Sequence, residues 1–481
     1  MGGKPLNDMV VLLPGITGSV LRKDGKDVWA ISGQAASAWL TSLGGSLQEL
    51  LLTGQDPDGV VAERIMPDAH VVPGLVKIDG YSAAAKMVTD TFDVVRGSIW
   101  DPRPANFIEF PYDWRLDNRI SAQRLAEFVC DRLPRWREYS GNADARVIFL
   151  AHSMGGLVAR YFLEVLEGWR ECKALITFGT PYRGSPNALG FLANGYKRLF
   201  TDLSEVMRSF PSMHQLLPIY RALRIEKDYV RVAEAVSVPG IDKARAEDAL
   251  AFHREIEAKV DEHRKDPAYL DKGYVIVPVV GVRQPTVQSA ALAGGRVTTG
   301  TELPSWIDPL LADGDGTVPR VSAIPIELSD AYRDSFVPER HGSLQSNRSV
   351  LDDVRGRLEQ MQARGLRAVR GPGPSPAAAE QRPAIALDLD DLYLAGEPVT
   401  LRAGLVNAQG APGPLRARIE PVADPSAAAA ATRDFTELAD GWTLALEGLP
   451  PGLYRAEVRT AKAGPLAPPP VHDLFEVVET A

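Results

Sequence analysis

Ser153 sits in the run Phe149-Leu-Ala-His-Ser-Met-Gly-Gly156, between an apolar stretch beginning at Arg146 and an amphipathic stretch reaching Phe162. A serine hydroxyl is inert at its own pKa and becomes a nucleophile only beside a base. A turn that projects the serine between a strand and a helix strains the backbone and needs small neighbours. Ala151 and Gly155 supply them. The pattern is a nucleophile elbow with Ala151 in place of the first Gly of G-x-S-x-G. An ordinary strand-to-helix loop with an exposed serine would not need strand, small-residue turn and helix to coincide.

Chains with this elbow on a parallel sheet, the α/β-hydrolases, carry their triad in the order Ser, acid, His. Seven histidines are present, and elimination narrows them. His70 precedes the serine, and His152 is locked beside it and points elsewhere. His214, His253 and His263 fall in a helical stretch before the best acid, and His472 lies near the C-terminus. His341, in Val337-Pro-Glu-Arg-His-Gly-Ser-Leu344, remains as the general base, although alone it reads as a surface-loop histidine. The acid falls in Leu311-Ala-Asp-Gly-Asp-Gly-Thr-Val-Pro319, where Asp313 and Asp315 compete and the Asp-Gly-Thr-Val run favours Asp315. That acidic turn lacks the further ligands of a calcium loop, so no metal and no cofactor is expected. The oxyanion requires two backbone donors. Met154, directly after the serine, is one. The loop Leu13-Pro-Gly-Ile-Thr-Gly-Ser19 provides the other, with Ile16 favoured because Gly15 and Gly18 allow close approach.

These residues need a frame. Val10–Leu13, Val147–Leu150, Ala174–Phe178 and Val275–Val280 are continuous apolar runs, the mark of central parallel strands buried on both faces. Helices are predicted at Ala122–Trp136, Leu157–Leu166 and Arg348–Arg364. Residues 185–271 are mostly helical and outside the strand–helix rhythm, which predicts a cap inserted over the site. Residues 1–369 thus form an α/β-hydrolase domain, with a mainly parallel sheet and a helical cap. A Pro/Gly/Ala-rich linker follows over residues 370–382. From 383 to 481 apolar and polar residues alternate between regular turn signals, which predicts an all-β, immunoglobulin-like sandwich.

Composition narrows the partners. A net charge of −9 argues against nucleic acid, whose binding needs clustered Lys and Arg, and against polybasic attraction to anionic lipid. The two cysteines, Cys130 and Cys172, lack metal-ligand spacing and fit a reducing compartment. The short run Met9-Val-Val-Leu-Leu13 reads as a buried strand instead of a signal peptide, and no run approaches the ~20 apolar residues of a bilayer span. The expectation is a cytoplasmic protein, with peripheral membrane contact left open.

Taken together, Leu12-Leu-Pro-Gly-Ile-Thr-Gly-Ser19, Pro111-Tyr-Asp-Trp-Arg-Leu116, the Ser153 elbow, Phe178-Gly-Thr-Pro-Tyr-Arg-Gly-Ser185, Asp313-Gly-Asp-Gly-Thr-Val318 and His341 resemble the lecithin:cholesterol acyltransferase family. The resemblance runs from about Met9 to about Arg364 and omits the C-terminal region. Pro-Tyr-Asp-Trp-Arg is its most specific part. It implies Ser153, Asp315 and His341 as triad, Ile16 and Met154 as oxyanion donors, and Asp113 as a brace, not a catalytic acid. The disulfide-forming cysteines of the family's secreted animal members are absent. The segment Trp29 to Leu43, which holds Trp39, Leu40 and Leu43, corresponds loosely to the family's membrane-facing part and, with Leu47 and Leu50-Leu-Leu52, either meets lipid or packs as core. The implied activity is hydrolysis or transfer of a lipid acyl ester, phospholipase-like, through an acyl-enzyme. The alternative is a partner-gated effector whose C-terminal sandwich binds a protein or glycan and controls the hydrolase.

Overall fold

The structure, a computed structural model, describes the chain apart from residues 1–2, 31–47, 55–57, 68, 73, 75, 196, 199–200, 329–334, 365–381, 409–412, 423–430, 440, 463, 465–466 and 480–481. Trp39, Leu40 and Leu43, and nearly all of the linker, lie outside the described residues.

Seven parallel strands form the central sheet. Across it they run Phe336–Val337, Val275–Gly281, Cys172–Phe178, Val147–His152, Met9–Leu13, Phe107–Glu109 and Arg96–Ser98. The apolar runs occupy the middle, where both faces are covered: every residue of Met9–Leu13 and Val147–His152 is buried. The strands Arg96–Ser98, Phe107–Glu109 and Phe336–Val337, toward the edges, are only two or three residues long, too short to leave a period in the sequence. The helix Asn118–Ser140 is capped by Asp117, whose side chain accepts from the Arg119 amide, and stops at left-handed Gly141. Met154–Glu164 follows Ser153, and Arg348–Arg364 closes the domain.

The cap is less purely helical than its composition suggests. Pro186–Asn194, Ser204–Ser209 and Lys243–His263 are helices, but Leu223–Ile225 and Asp228–Val230 form a hairpin. That hairpin joins Ser289–Ala293 and Arg296–Gly300 in a four-stranded sheet, so the insertion draws on residues well past 271. Trp29, at the start of the membrane-facing candidate, and Leu50 and Leu52, which accompany it, pack into the main core, with Trp29 edge-on to Trp114 at 5.0 Å.

The C-terminal region is a β-sandwich of one four-stranded and one five-stranded sheet. Ile385, Leu387 and Leu401 from one sheet meet Leu415, Ala417, Val458 and Phe475 from the other in a shared core. Most pairs are antiparallel, but Leu392–Leu394 runs parallel to Val471–Val478. The sandwich does not stand apart. Ala69 and Val71 of the N-terminal domain pack with Leu453 and Leu474, and Gln284 both donates to the Ile385 carbonyl and accepts from the Leu387 amide. Among the described residues, no helix is long and apolar enough to cross a membrane.

Candidate active site

Ser153 joins the strand Val147–His152 to the helix Met154–Glu164 with φ of 50° and ψ of −124°. A non-glycine residue at positive φ costs free energy and persists only where its surroundings hold it. Here two glycines let other chain segments close in. A Cβ on Gly155 would come within 2.4 Å of the Pro14 carbonyl oxygen, and one on Gly156 within 2.0 Å of Thr180 Oγ1. Larger residues at either position would push the elbow off the sheet.

Ser153 Oγ lies 3.0 Å from His341 Nε2, and His341 Nδ1 lies 2.8 Å from Asp315 Oδ2. All three residues are buried. The other Asp315 oxygen, Oδ1, accepts from the amides of Thr317 and Val318 at 2.9 and 2.6 Å, so the carboxylate cannot rotate away. The His341 amide donates to the Asp315 carbonyl at 2.8 Å, joining the two loops through backbone as well. Asp313 diverges: it has φ of 72°, and its Oδ2 lies 3.6 Å from Arg283. The two aspartates therefore face different partners.

The loop after the first strand reaches the serine. A Cβ on Gly15 would stand 2.9 Å from Ser153 Cβ. Ile16 and Met154 are both buried next to this approach. The Met154 amide, at the first position of its helix, has no carbonyl a turn earlier in the helix to bond. The Pro111-to-Leu116 motif braces this loop. Tyr112 donates from its hydroxyl to the Pro14 carbonyl at 3.0 Å, and Trp114 Nε1 donates to the Ser19 carbonyl at 3.2 Å. Asp113 takes two bonds from the Arg115 guanidinium, which also donates to the Leu50 carbonyl and to Asp58, so Asp113 is committed away from the histidine.

Tyr81 and His152, to which no sequence motif assigns a role, link the two sides of the site. The Gly15 amide donates to the Tyr81 oxygen at 2.8 Å, the Tyr81 hydroxyl donates to His152 Nδ1 at 3.0 Å, and His152 Nε2 donates to the His341 carbonyl at 3.2 Å. Burial raises the Tyr81 pKa and, with the neighbouring His341, drives that of His152 well down. Both groups are thus neutral, and a neutral imidazole that donates from Nε2 must accept at Nδ1. His152 does point away from Ser153, but toward the backbone of His341. No sequence spacing signals a tyrosine 71 positions away.

A cavity of about 440 Å³ opens beside Asp315 and His341, walled by Asn187 and Phe191 of the cap, by Lys77 and Arg340, and by Asp391 and Asp473 of the sandwich. Among the described residues, no cluster of His, Cys, Asp or Glu could hold a metal ion.

Residues 98–254 match the family profile described as lecithin:cholesterol acyltransferase. No curated relative matches the chain. Among solved structures, the mature lipase BlEst2 of Bacillus licheniformis is 14% identical, with 74% of this chain and 94% of that chain covered at a TM-score of 0.30. Its propeptide form is 12% identical, covering 99% and 95% at 0.31. Phospholipase PlaB of Legionella pneumophila, in complex with thio-NAD, is 10% identical, covering 98% and 92% at 0.26. At such scores these likenesses carry no argument about the site. The family match supports a lipid ester hydrolase or acyltransferase. Through its central segment, residues 98–254, the chain is similar to the lecithin:cholesterol acyltransferase family, on an α/β-hydrolase fold with a C-terminal β-sandwich.

Proposed function

We propose that the chain hydrolyses or transfers lipid acyl esters through an acyl-enzyme on Ser153. The observation that carries this reading is the continuous line from Ser153 Oγ through the His341 ring to Asp315, at 3.0 and 2.8 Å. His341 Nε2 takes the hydroxyl proton as Oγ attacks the ester carbonyl. Asp315 keeps the Nδ1 proton in place and stabilises the imidazolium without taking the proton itself. The amides of Ile16 and Met154 receive the oxyanion, and losing one such donor typically costs about 10²–10³ in rate. The intermediate collapses as His341 hands its proton to the leaving alcohol. Water or a second alcohol, deprotonated by the same nitrogen, then attacks the acyl carbon and restores Ser153. How well the cap excludes water sets the ratio of hydrolysis to transfer.

The test is labelling with a fluorophosphonate probe, followed by a phospholipid and neutral-lipid panel read by mass spectrometry. Labelling at Ser153 with release of fatty acid or an acylated alcohol is expected. Ser153→Ala should lose both while unfolding at nearly the same temperature. A variant that still turns over would move the nucleophile elsewhere.

The second reading, a partner-gated effector, draws on the contact between the sandwich and the loop carrying His341. A full-length chain that stays unlabelled until a protein or glycan partner is added would favour it.

A further inference from the structure

The loop that presents His341 is held from two directions. From the hydrolase side, residue 341 itself is fixed: its amide donates to the Asp315 carbonyl and its carbonyl accepts from His152. From the sandwich side, the flanking residues are fixed. The Glu339 carboxylate is fully buried and accepts four bonds, one oxygen taking the amides of Arg340 and His472, each at 2.9 Å. The other takes His472 Nδ1 at 2.8 Å and Asn347 Nδ2 at 2.7 Å. Arg340 reaches into the sandwich, with Nε 2.9 Å from Asp473 Oδ2 and Nη1 donating to the Leu387 carbonyl. Lys77 adds a third tie: its Nζ lies 2.9 Å from Asp391 and 3.0 Å from Asp473. Its carbonyl lies so close beneath Gly342 that a Cβ there would come within 1.6 Å.

We infer that the sandwich is a working part of the catalytic loop, with Glu339, held by His472, and Arg340, held by Asp473, as positioning residues that fix the His341 ring against Ser153. The inference rests on the reading of Ser153 and His341 as nucleophile and base. Its physical ground is the cost of a buried charge without partners. Without the sandwich, Glu339 would lose two of its four donors, and Arg340 and Lys77 would lose their carboxylates. Such groups move toward water when their partners are removed. Glu339 is two residues from His341, so its movement carries the base with it. A misplacement of about 1 Å in a catalytic group can cost about 10²-fold in rate.

The experiment uses full-length variants on a soluble chromogenic ester. It reads kcat, KM, the fluorophosphonate labelling rate per titratable serine, and the unfolding temperature. Glu339→Gln places an amide N–H against donors and should lower kcat and the labelling rate per site about tenfold or more. His472→Ala removes one donor and should lower both about three- to tenfold. KM should stay within about twofold, because substrate binding is not what the loop supplies. His472→Gln keeps a donor amide and should recover part of the His472→Ala loss. Arg402→Ala, on a sandwich side chain 68% exposed, should match the parent. An unchanged rate per titrated site in Glu339→Gln and His472→Ala would overturn the inference, as would activity lost only in proportion to the titrated sites. Should Glu339→Gln not fold, the two His472 variants decide: equal rates in both overturn it. A parent chain that is not labelled at Ser153 overturns the reading beneath it instead.

Discussion

At the scale of single residues, the site depends on which polar groups are already spoken for. Asp113 is tied to Arg115 and Asp313 faces Arg283, which leaves Asp315 alone with the histidine. Asp315→Asn is expected to lower kcat by about 10⁴, since the amide favours the wrong imidazole tautomer. Asp313→Asn should change it by less than about tenfold, and steady-state kinetics on both variants would expose a reversed ranking. Tyr81→Phe strands the Gly15 amide and His152 Nδ1 in a buried space. It should lower stability by about 1–3 kcal/mol, and it should lower kcat without altering which serine is labelled. Chemical denaturation beside the labelling assay checks both. The elbow serine is legible in the sequence because its small neighbours are adjacent to it. Tyr81 is not, because a hydrogen bond across 71 positions leaves no spacing.

At the scale of elements, short loops at the ends of buried strands do the positioning. Gly155 and Gly156 hold the elbow against Pro14 and Thr180, and Gly342 holds the histidine loop against Lys77. Gly342→Ala should therefore cost activity more than a surface glycine such as Gly356→Ala, around which a Cβ meets nothing. The histidine loop also meets a titrating group. Burial lowers the His472 pKa, but the Glu339 hydrogen bond and the charges of Glu339, Glu457 and Asp79 outweigh it and leave it raised above 6.5. The charged pair thus contributes fully below about pH 6.5, and the contribution is lost as pH rises through the raised value. The unfolding temperature should fall across that window in the parent and fall less in His472→Gln. Scanning calorimetry at several pH values would show it, and parallel curves would remove His472 from the account.

At the scale of the molecule, the two domains share charged and apolar contacts around one loop. Arg455 pairs with Asp79, Lys77 bridges Asp391 and Asp473, and Ala69 and Val71 bury against Leu453 and Leu474. Domains coupled this way should unfold together, so calorimetry is expected to give one main transition. Arg340→Ala should split it or lower it, because Asp473 would keep Lys77 but lose its second cation. Two well-separated transitions in the parent would mean that the domains are independent.

Features written in adjacent residues are legible from the amino-acid sequence by itself. The elbow, the Asp-Gly-Thr-Val turn and the buried apolar strands each follow from local sterics or from burial on both faces, which restrict residue type position by position. The order of serine, acid and histidine then narrows seven histidines to two, and the place of His472 in the C-terminal region leaves His341. Pairings between distant segments are not legible in this way, since a hydrogen bond or ion pair constrains two side chains without constraining what lies between them. By its position alone His472 is a sandwich residue with no bearing on the site, and the Pro/Gly/Ala-rich linker suggests a separate module. Only the packed chain brings His472 within 2.8 Å of Glu339. Burial of opposite charges then makes that contact selective, which no composition or period can reveal.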